Sequence, residues 1–403
     1  MKKIYLLLLV AAAFTGCSKD DEYNMDYFTE KYGNNESDNT SNNTEDTTAV
    51  STPTVVSDTL YISIAYSGTT ATLTGDIDSV TVAKTNADVT ITSTTEKYLE
   101  LTLSGTATDG SLMVYSSKKY GIVLNGVDLT NADGPAINNQ CGKSLYLTLA
   151  DGTTNTLTDG STYANAPTDA SGVAIDQKGT LFSEGQIYFL GAGTLNVNGN
   201  AKNGIASDDY IVVEDGTINV TVSDTGSNGV KTNDGFTFNG GTLSINVKAD
   251  GARGLKNDAR TTIAGGTITI KTSGDCLIET VDGVKDTTSC AGIKSDSLFT
   301  MKAGTLTITS TGDGGKGINC SENIEVSGGT LTVVTEGGNE IGKPKAVKSD
   351  TGIILSGGYF KATCKKSWAC DNGSESEDPA ARVTIQGTPQ QTSLAKREMI
   401  VIF

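Results

Sequence analysis

Three sets of charged and amide side chains recur at matching intervals along this 403-residue chain. Lys231, Lys256, Lys294 and Lys348 each stand two residues after a repeat-opening Gly or its equivalent, Ala346. Asp208, Asn233, Asp258, Asp296 and Asp350 stand two residues further along the same phrase. Asp224, Asp250, Asp275 and Asp313 sit near the close of successive repeats. If the repeats stack like strands, each set becomes a column with a spacing of about 4.8 Å. Carboxylates that close repel by about 1 kcal/mol in water and by several where shielded. Either a cation sits between them or the lysines pair with them. Calcium takes six to eight oxygens, including the backbone carbonyls that turns expose. The candidate ligands are Asp208, Asp224, Asp234, Asp250, Asp258, Asp275, Asp296 and Asp313. The plain alternative is that these Asp residues cap turns. The Lys column could meet the carboxylates of an acidic polymer, each contact modest but multivalent together. It could equally form an internal Lys–Asp ladder.

The elements that position these residues are legible in the repeat. Its first half begins at Gly204, Gly229, Gly254, Gly292, Gly317 and Ala346, in steps of 25, 25, 38, 25 and 29 residues. Its second half is a Gly-containing corner at Gly216, Gly241, Gly266, Gly304, Gly329 and Gly358, usually followed by Thr. In the repeat from Gly229, three short runs alternate apolar and polar residues: Val230–Thr232, Phe236–Phe238 and Leu243–Val247. Turns rich in Gly, Asn and Asp separate them, a pattern of three strands. A fixed period of this size implies a solenoid whose coils bury their apolar edges against their neighbours. With no helical period, the expected fold is an all-β, right-handed parallel β-helix of about 25 residues per coil.

Composition narrows the function. The net charge of −17 argues against nucleic-acid binding, which needs a basic surface. There is no His, which removes the commonest general base, every Ser–His or Cys–His pair and the usual zinc sites. Lys2 and Lys3 precede the apolar run Ile4–Phe14, followed by Thr15, Gly16 and Cys17. This reads as a signal peptide over 1–16, with Gly-Cys resembling a lipobox and Cys17 the lipidated first residue of the mature chain. Ser18, Lys19, Asp20, Asp21 and Glu22 resemble the surface-export signal of Bacteroidota lipoproteins. The expected address is the outer membrane, through a lipid anchor, facing the exterior. Residues 17–57 read as the lipidated N-terminus and a disordered stalk, 58–375 as the β-helix and 376–403 as a C-terminal cap. Six cysteines remain after Cys17, an even number that permits disulfides in an exported chain. Cys276 and Cys290 bracket the 13 residues that lengthen one step, and a bridge there would close the insertion. Cys364 with Cys370 is a second candidate pair. Trp368, the single Trp, is expected to plug the open end of the stack, with sugar stacking as the alternative.

The phrases GIVLNGVDLTNADGPAINNQ from Gly121, LYLTLADGTTNTLTDG from Leu145, GVAI at Gly172, GAGTLNVNGN at Gly191 and KNGIASDD at Lys202 form an ordered set. This set resembles the carbohydrate-binding β-helix family first described from a cellulose-degrading clostridium. The resemblance spans roughly residues 60–360. It implies a pectate-lyase-like β-helix with bound Ca²⁺ that binds cellulose-like or acidic plant polysaccharides such as polygalacturonate, without established catalysis. The expected function is non-catalytic, calcium-dependent polysaccharide binding at the cell surface, with glycan-uptake machinery as a partner. One alternative is a pectate-lyase-like enzyme, which needs a metal and an Arg or Lys base. Arg253, close to the Asp250 turn, is the Arg placed for that role. A structural adhesin is the other alternative.

Overall fold

The computed structural model describes residues 59–164, 166–168, 172–281, 283–288 and 290–403. The leader 1–16, Cys17 and the rest of the 17–57 stalk lie outside the described residues. The repeat folds into three strands per coil. In the coil from Gly229 these are Val230–Thr232, Gly235–Phe238 and Thr242–Val247. First strands of successive coils make a narrow sheet of 12 strands; second and third strands make two walls of a 23-stranded sheet. Near the N-terminal end the two walls are continuous, because Tyr98–Ala107 and Tyr120–Thr130 are long enough to turn the corner. They bend at Gly105 and Gly126, both at positive φ. In the narrow sheet Thr81–Thr85 pairs antiparallel, and the eleven strands after it run parallel, one per coil. The expected parallel β-helix is the fold observed.

Alternation at period 2 builds the core. In the narrow sheet Leu181, Ile205, Val230, Leu255, Ile293, Ile318 and Val347 stack in register. They face the equally stacked Leu195, Ile218, Leu243, Ile268, Leu306 and Leu331 of the third strands. All are nearly or fully buried. Residues between them point outward, so each coil presents the same outer positions as the last. The corner before each third strand demands Gly. Gly241, Gly266, Gly304, Gly329 and Gly358 all have positive φ, and a Cβ on Gly266 would meet Gly241 O at 2.6 Å. Both chirality and the close approach of the coil below exclude a side chain there.

The 38-residue step holds an antiparallel hairpin, Ile278–Val281 with Val284–Thr287, inserted before the strand Ala291–Ser295. At the C-terminal end Glu398–Ile402 lies antiparallel on the last third strand, Tyr359–Cys364, and ends its parallel ladder. Trp368 is buried between two cations, Arg382 at 3.8 Å and Lys396 at 4.5 Å from its ring centroid. Its ring is therefore committed to the end of the stack and not to a sugar. Asp371, on the last narrow-sheet strand, ties this end together through Lys345 (2.9 Å) and Arg382 (2.9 Å). Burial alone would raise the Asp371 carboxyl; the Lys345 hydrogen bond and charge, the Gly373 N–H and Arg382 outweigh it and hold the group below its usual range.

A depressed folded-state pKa means that the stabilisation is present above the unfolded carboxylate pKa and is lost as pH falls through the folded one. Asp371→Asn leaves Lys345 and Arg382 buried without their anion. It should cost about 3 kcal/mol at neutral pH in denaturant unfolding, and the gap from the natural chain should close in strong acid.

Candidate functional site

The outer face of the narrow sheet gathers the predicted columns. Lys231, Lys256 and Lys294 are in register, Asn319 takes the next position, and Lys348 follows. Each Lys turns to the acceptor two residues on. Lys231 donates to Asn233 Oδ1 at 2.6 Å, Lys256 pairs with Asp258 at 3.0 Å, and Lys294 and Lys348 pair with Asp296 and Asp350. Lys231 also lies 3.9 Å from Asp258 of the next coil. Of the two readings of the column, the internal ladder is the one formed. Its ammonium groups are half-buried and already neutralised, and pairs of this kind contribute roughly 0–1 kcal/mol each.

The closing-turn aspartates do something different. Asp250 accepts the N–H of Asp275 (2.8 Å), Asp275 accepts that of Asp313 (2.7 Å), and Asp313 accepts from Glu340 and Ile341. Burial would raise the Asp313 carboxyl, but these N–H groups lower it. Asp224 is exposed one coil earlier, and Asp234 opens the turn before Gly235. The expectation that closing-turn and repeat-start aspartates share calcium is corrected by the strand between them. Asp250 and Asp258 lie at opposite ends of the extended strand Arg253–Asn257, which at about 3.3 Å per step spans about 13 Å. Of the eight predicted ligands, Asp208 alone joins a group of three acids among the described residues.

That group is Asp176, Glu184 and Asp208, whose carboxylate oxygens lie within 4.8 Å of one another. Glu184 occupies in its coil the position of Asp208 in the next, since Ser183 pairs with Ser207. Asp176 comes from the chain entering the strand Gly179–Ser183. Lys178 bridges Asp176 (2.6 Å) and Asp208. Burial, then the charges of Asp208 and Asp176, push the Glu184 carboxyl up. Burial would lower the Lys178 ammonium, but its hydrogen bonds to Asp176 and Asp208 raise it, so it stays protonated. The donor set fits a calcium ion, with water and carbonyls completing the shell, provided Lys178 swings out. Glu184 was detectable in the sequence as the Ser-Glu that ends the phrase GTLFSE one coil earlier than the first repeat counted.

Beyond this group, toward the N-terminal end, the same face hollows into a cavity of about 260 Å³. Thr90, Met113 and Asn138 form its floor in the column that the lysines occupy later. Asp88, Ser111, Asn131 and Asp133 make one wall, and Ala164, Pro167 and Gln177 of the connection after Gly160 make the other. On the adjoining wall of the helix, Tyr146 stacks on Tyr188 (5.2 Å between centroids) and Tyr188 meets Tyr210 edge-on (5.8 Å). The sequence shows no such platform, because 42 and 22 residues separate these tyrosines.

Arg253 lies at the base of the inserted hairpin, beside Cys290 and Cys276, and burial lowers its guanidinium. It is thus remote in sequence and surroundings from the three-acid group. The expected Cys276–Cys290 bridge is corrected: both are free, buried thiols hydrogen-bonded to each other at the hairpin base. Cys364 and Cys370 are also free and buried. Hydrogen bonding from Cys290, with Lys316 and Arg253 nearby, draws the Cys276 thiol down to about 7 and holds the Cys290 proton in place.

The fold and site place the chain among parallel β-helix proteins with an acid cluster and a cavity on one outer face. Residues 85–276 and 251–340 match the family described as carbohydrate-binding domain-containing protein, and the chain belongs to that family. A carbohydrate-binding domain-containing protein of Acetivibrio thermocellus is 32% identical over 160 residues, covering 36% of this chain and 54% of that protein. The chain thus spans about half the length of this relative. A polysaccharide lyase-like protein from C. thermocellum, solved as a gadolinium derivative, superposes with a TM-score of 0.54 over 66% of this chain and 96% of that one, at 24% identity. This likeness supports the fold.

The touching thiols give a direct test. In thiol–disulfide exchange with oxidised glutathione, Cys276 thiolate displaces one glutathione thiol and Cys290 then displaces the other. The folded chain should lose two titratable thiols, and Cys276→Ser should lose none by this route.

Proposed function

We propose that this protein binds polysaccharide along the outer face of the narrow sheet and does not cleave it. The observation that carries this reading is the in-register outer column of the narrow sheet, which runs from Thr90, Met113 and Asn138 through the apolar pair Phe182 and Ala206 to Lys231, Lys256, Lys294, Asn319 and Lys348, with carboxylates beside it. A repeating polymer meets repeating hydrogen-bond partners there, and weak contacts sum. Membership of a carbohydrate-binding family supports the ligand class. Because the lysines are already paired with aspartates, neutral cellulose-like chains suit the strip at least as well as polygalacturonate. We further propose that Ca²⁺ binds at Asp176, Glu184 and Asp208, and that the lipid on Cys17 holds the protein at the outer membrane, facing outward, where it passes glycan to uptake machinery.

One observation favours a second reading. Lys178 beside three carboxylates resembles the pairing of base and metal that a polysaccharide lyase requires. Its protonated state, enforced by Asp176 and Asp208, opposes a role as base, so binding remains the better reading.

The test is affinity electrophoresis in gels containing a neutral β-glucan or polygalacturonate, with calcium or a chelator. Retardation without clearing of the polymer is expected; clearing, or release of unsaturated products, would establish the lyase. By calorimetry, Asp208→Asn should weaken calcium binding at least about tenfold, and Lys178→Met should tighten it.

A further inference from the structure

We propose that the cavity over Thr90, Met113 and Asn138 is a binding site for a single neutral sugar ring. The proposal rests on the carbohydrate-binding reading above and adds to it a location and a charge class.

Size comes first. At about 260 Å³ the cavity falls just below the range of roughly 300–1,000 Å³ typical of small-ligand sites. That suits one ring, not a long stretch of chain. Ala164, Pro167 and Gln177, from the connection after Gly160, stand over the sheet face and close one side of the cavity. The Ala164 N–H is pinned to Asp133 O at 2.8 Å, and Pro167 and Gln177 line the far wall.

Chemistry comes second. Two amides are locked by the protein and make rigid walls. Asn131 donates to Pro135 O (2.7 Å) and accepts from the Asp133 N–H (3.2 Å). Asn138 donates to Asp176 O (3.1 Å) and accepts from Gln140 (2.6 Å). Other groups are left for a ligand. Asp88 accepts from Ser111 through Oδ1 (2.7 Å), leaving Oδ2. The Asp133 carboxylate and the Gln177 amide have no hydrogen-bond partner among the described residues, and both face the cavity. The site therefore offers several acceptors and one adaptable amide, with Met113 and Leu112 as an apolar floor. Sugar hydroxyls are donors, and a ring's C–H face suits a thioether.

Charge comes third. Asp88 and Asp133 line the cavity, Asp109 lies close enough to act on Asp88, and no Lys or Arg lines it among the described residues. A uronate carboxylate would meet two carboxylates and no cationic partner among the described lining residues. A bare divalent cation is not the better occupant. Among the described residues, Asp176, Glu184 and Asp208 alone approach closely enough as three acids to share an ion; Asp88 and Asp133 do not. A neutral ring is what acceptor-rich walls recognise.

The experiment is calorimetry of the full chain with neutral oligosaccharides (gluco-, xylo- and manno- series) and with oligogalacturonate. The natural chain is compared with Asp133→Asn and Gln177→Ala, with circular dichroism and melting checked for each. Both side chains lack partners in the fold, so both variants should fold. The expected result is binding of at least one neutral series, weakened about tenfold or more in each variant, with no such loss for oligogalacturonate. Neutral binding that survives both substitutions would overturn the cavity as the site while leaving the polysaccharide-binding function standing. Preferential binding of oligogalacturonate that is lost in the variants would overturn the charge class. Absence of binding to every saccharide in the natural chain would overturn the function and this site together.

Discussion

Register is the constraint on which the rest depends. Each strand pairs in parallel with its counterpart one coil away, so residue identity propagates up the stack as columns. Because side chains alternate at period 2, a slip of one residue would turn the aliphatic columns outward and the Lys–Asp ladder inward. Two features pin the phase. The corner glycines admit only one position for each turn, since a side chain there would strike the backbone of the coil below. A buried polar column, Ser183, Ser207, Thr232, Asn257 and Ser295, ends the narrow-sheet strands inside the molecule. Its members hydrogen-bond across coils, as from Thr232 to Asn257 (2.9 Å). A slip of two residues would keep the same face inward but set these groups against aliphatic neighbours, unpaired in the core, which costs about 1–3 kcal/mol apiece.

A stack of this kind is open at both ends, where unpaired strands invite further pairing. The chain answers with antiparallel strands at both ends: Thr70–Gly75 on Thr59–Gly68 and Thr81–Thr85 on Ala87–Ser93 at one, Glu398–Ile402 on Tyr359–Cys364 at the other. Trp368, clamped by Arg382 and Lys396, completes the C-terminal closure. The one rich aromatic at the end of the repeats therefore serves architecture. The stacked aromatics on the wall that adjoins the narrow sheet are instead tyrosines.

The repeat made the fold legible, since a phrase of Gly, aliphatic, Lys and Asp with a Gly corner states the strand count, the corner and the outward columns at once. It made the ladder legible too, since Lys256 and Asp258 sit two residues apart on one face. It could not reveal what departs from the repeat. Asp176 lies in a connection with no equivalent in other coils, so no spacing links it to Glu184 and Asp208. The cavity brings Ala164, Pro167 and Gln177 of that same connection against Thr90 and Asn138. Tyr146 and Tyr188, 42 positions apart in the chain, meet because their strands pair in register. The thiols of Cys276 and Cys290 were correctly placed together by their positions flanking the insertion, but spacing does not fix their oxidation state.

The columns also show how one fold handles a run of stacked carboxylates, which no acidic β-helix can leave uncompensated. Three answers appear on this molecule, and position decides among them. At the closing turns the backbone itself supplies N–H donors, because the turn leaves those amides without strand partners, and Asp250, Asp275 and Asp313 need no counter-charge. Along the strand ends from Asp258 to Asp350 a Lys two residues earlier lies on the same face and neutralises each carboxylate in place. At Glu184 and Asp208 the Lys position is taken by Phe182 and Ala206. A single Lys178 must then serve three acids, and Glu184 is left with a raised affinity for a proton. This shortage of local cation, not the abundance of Asp, singles out one stretch of an otherwise self-neutralised face as the place where an external cation has something to offer.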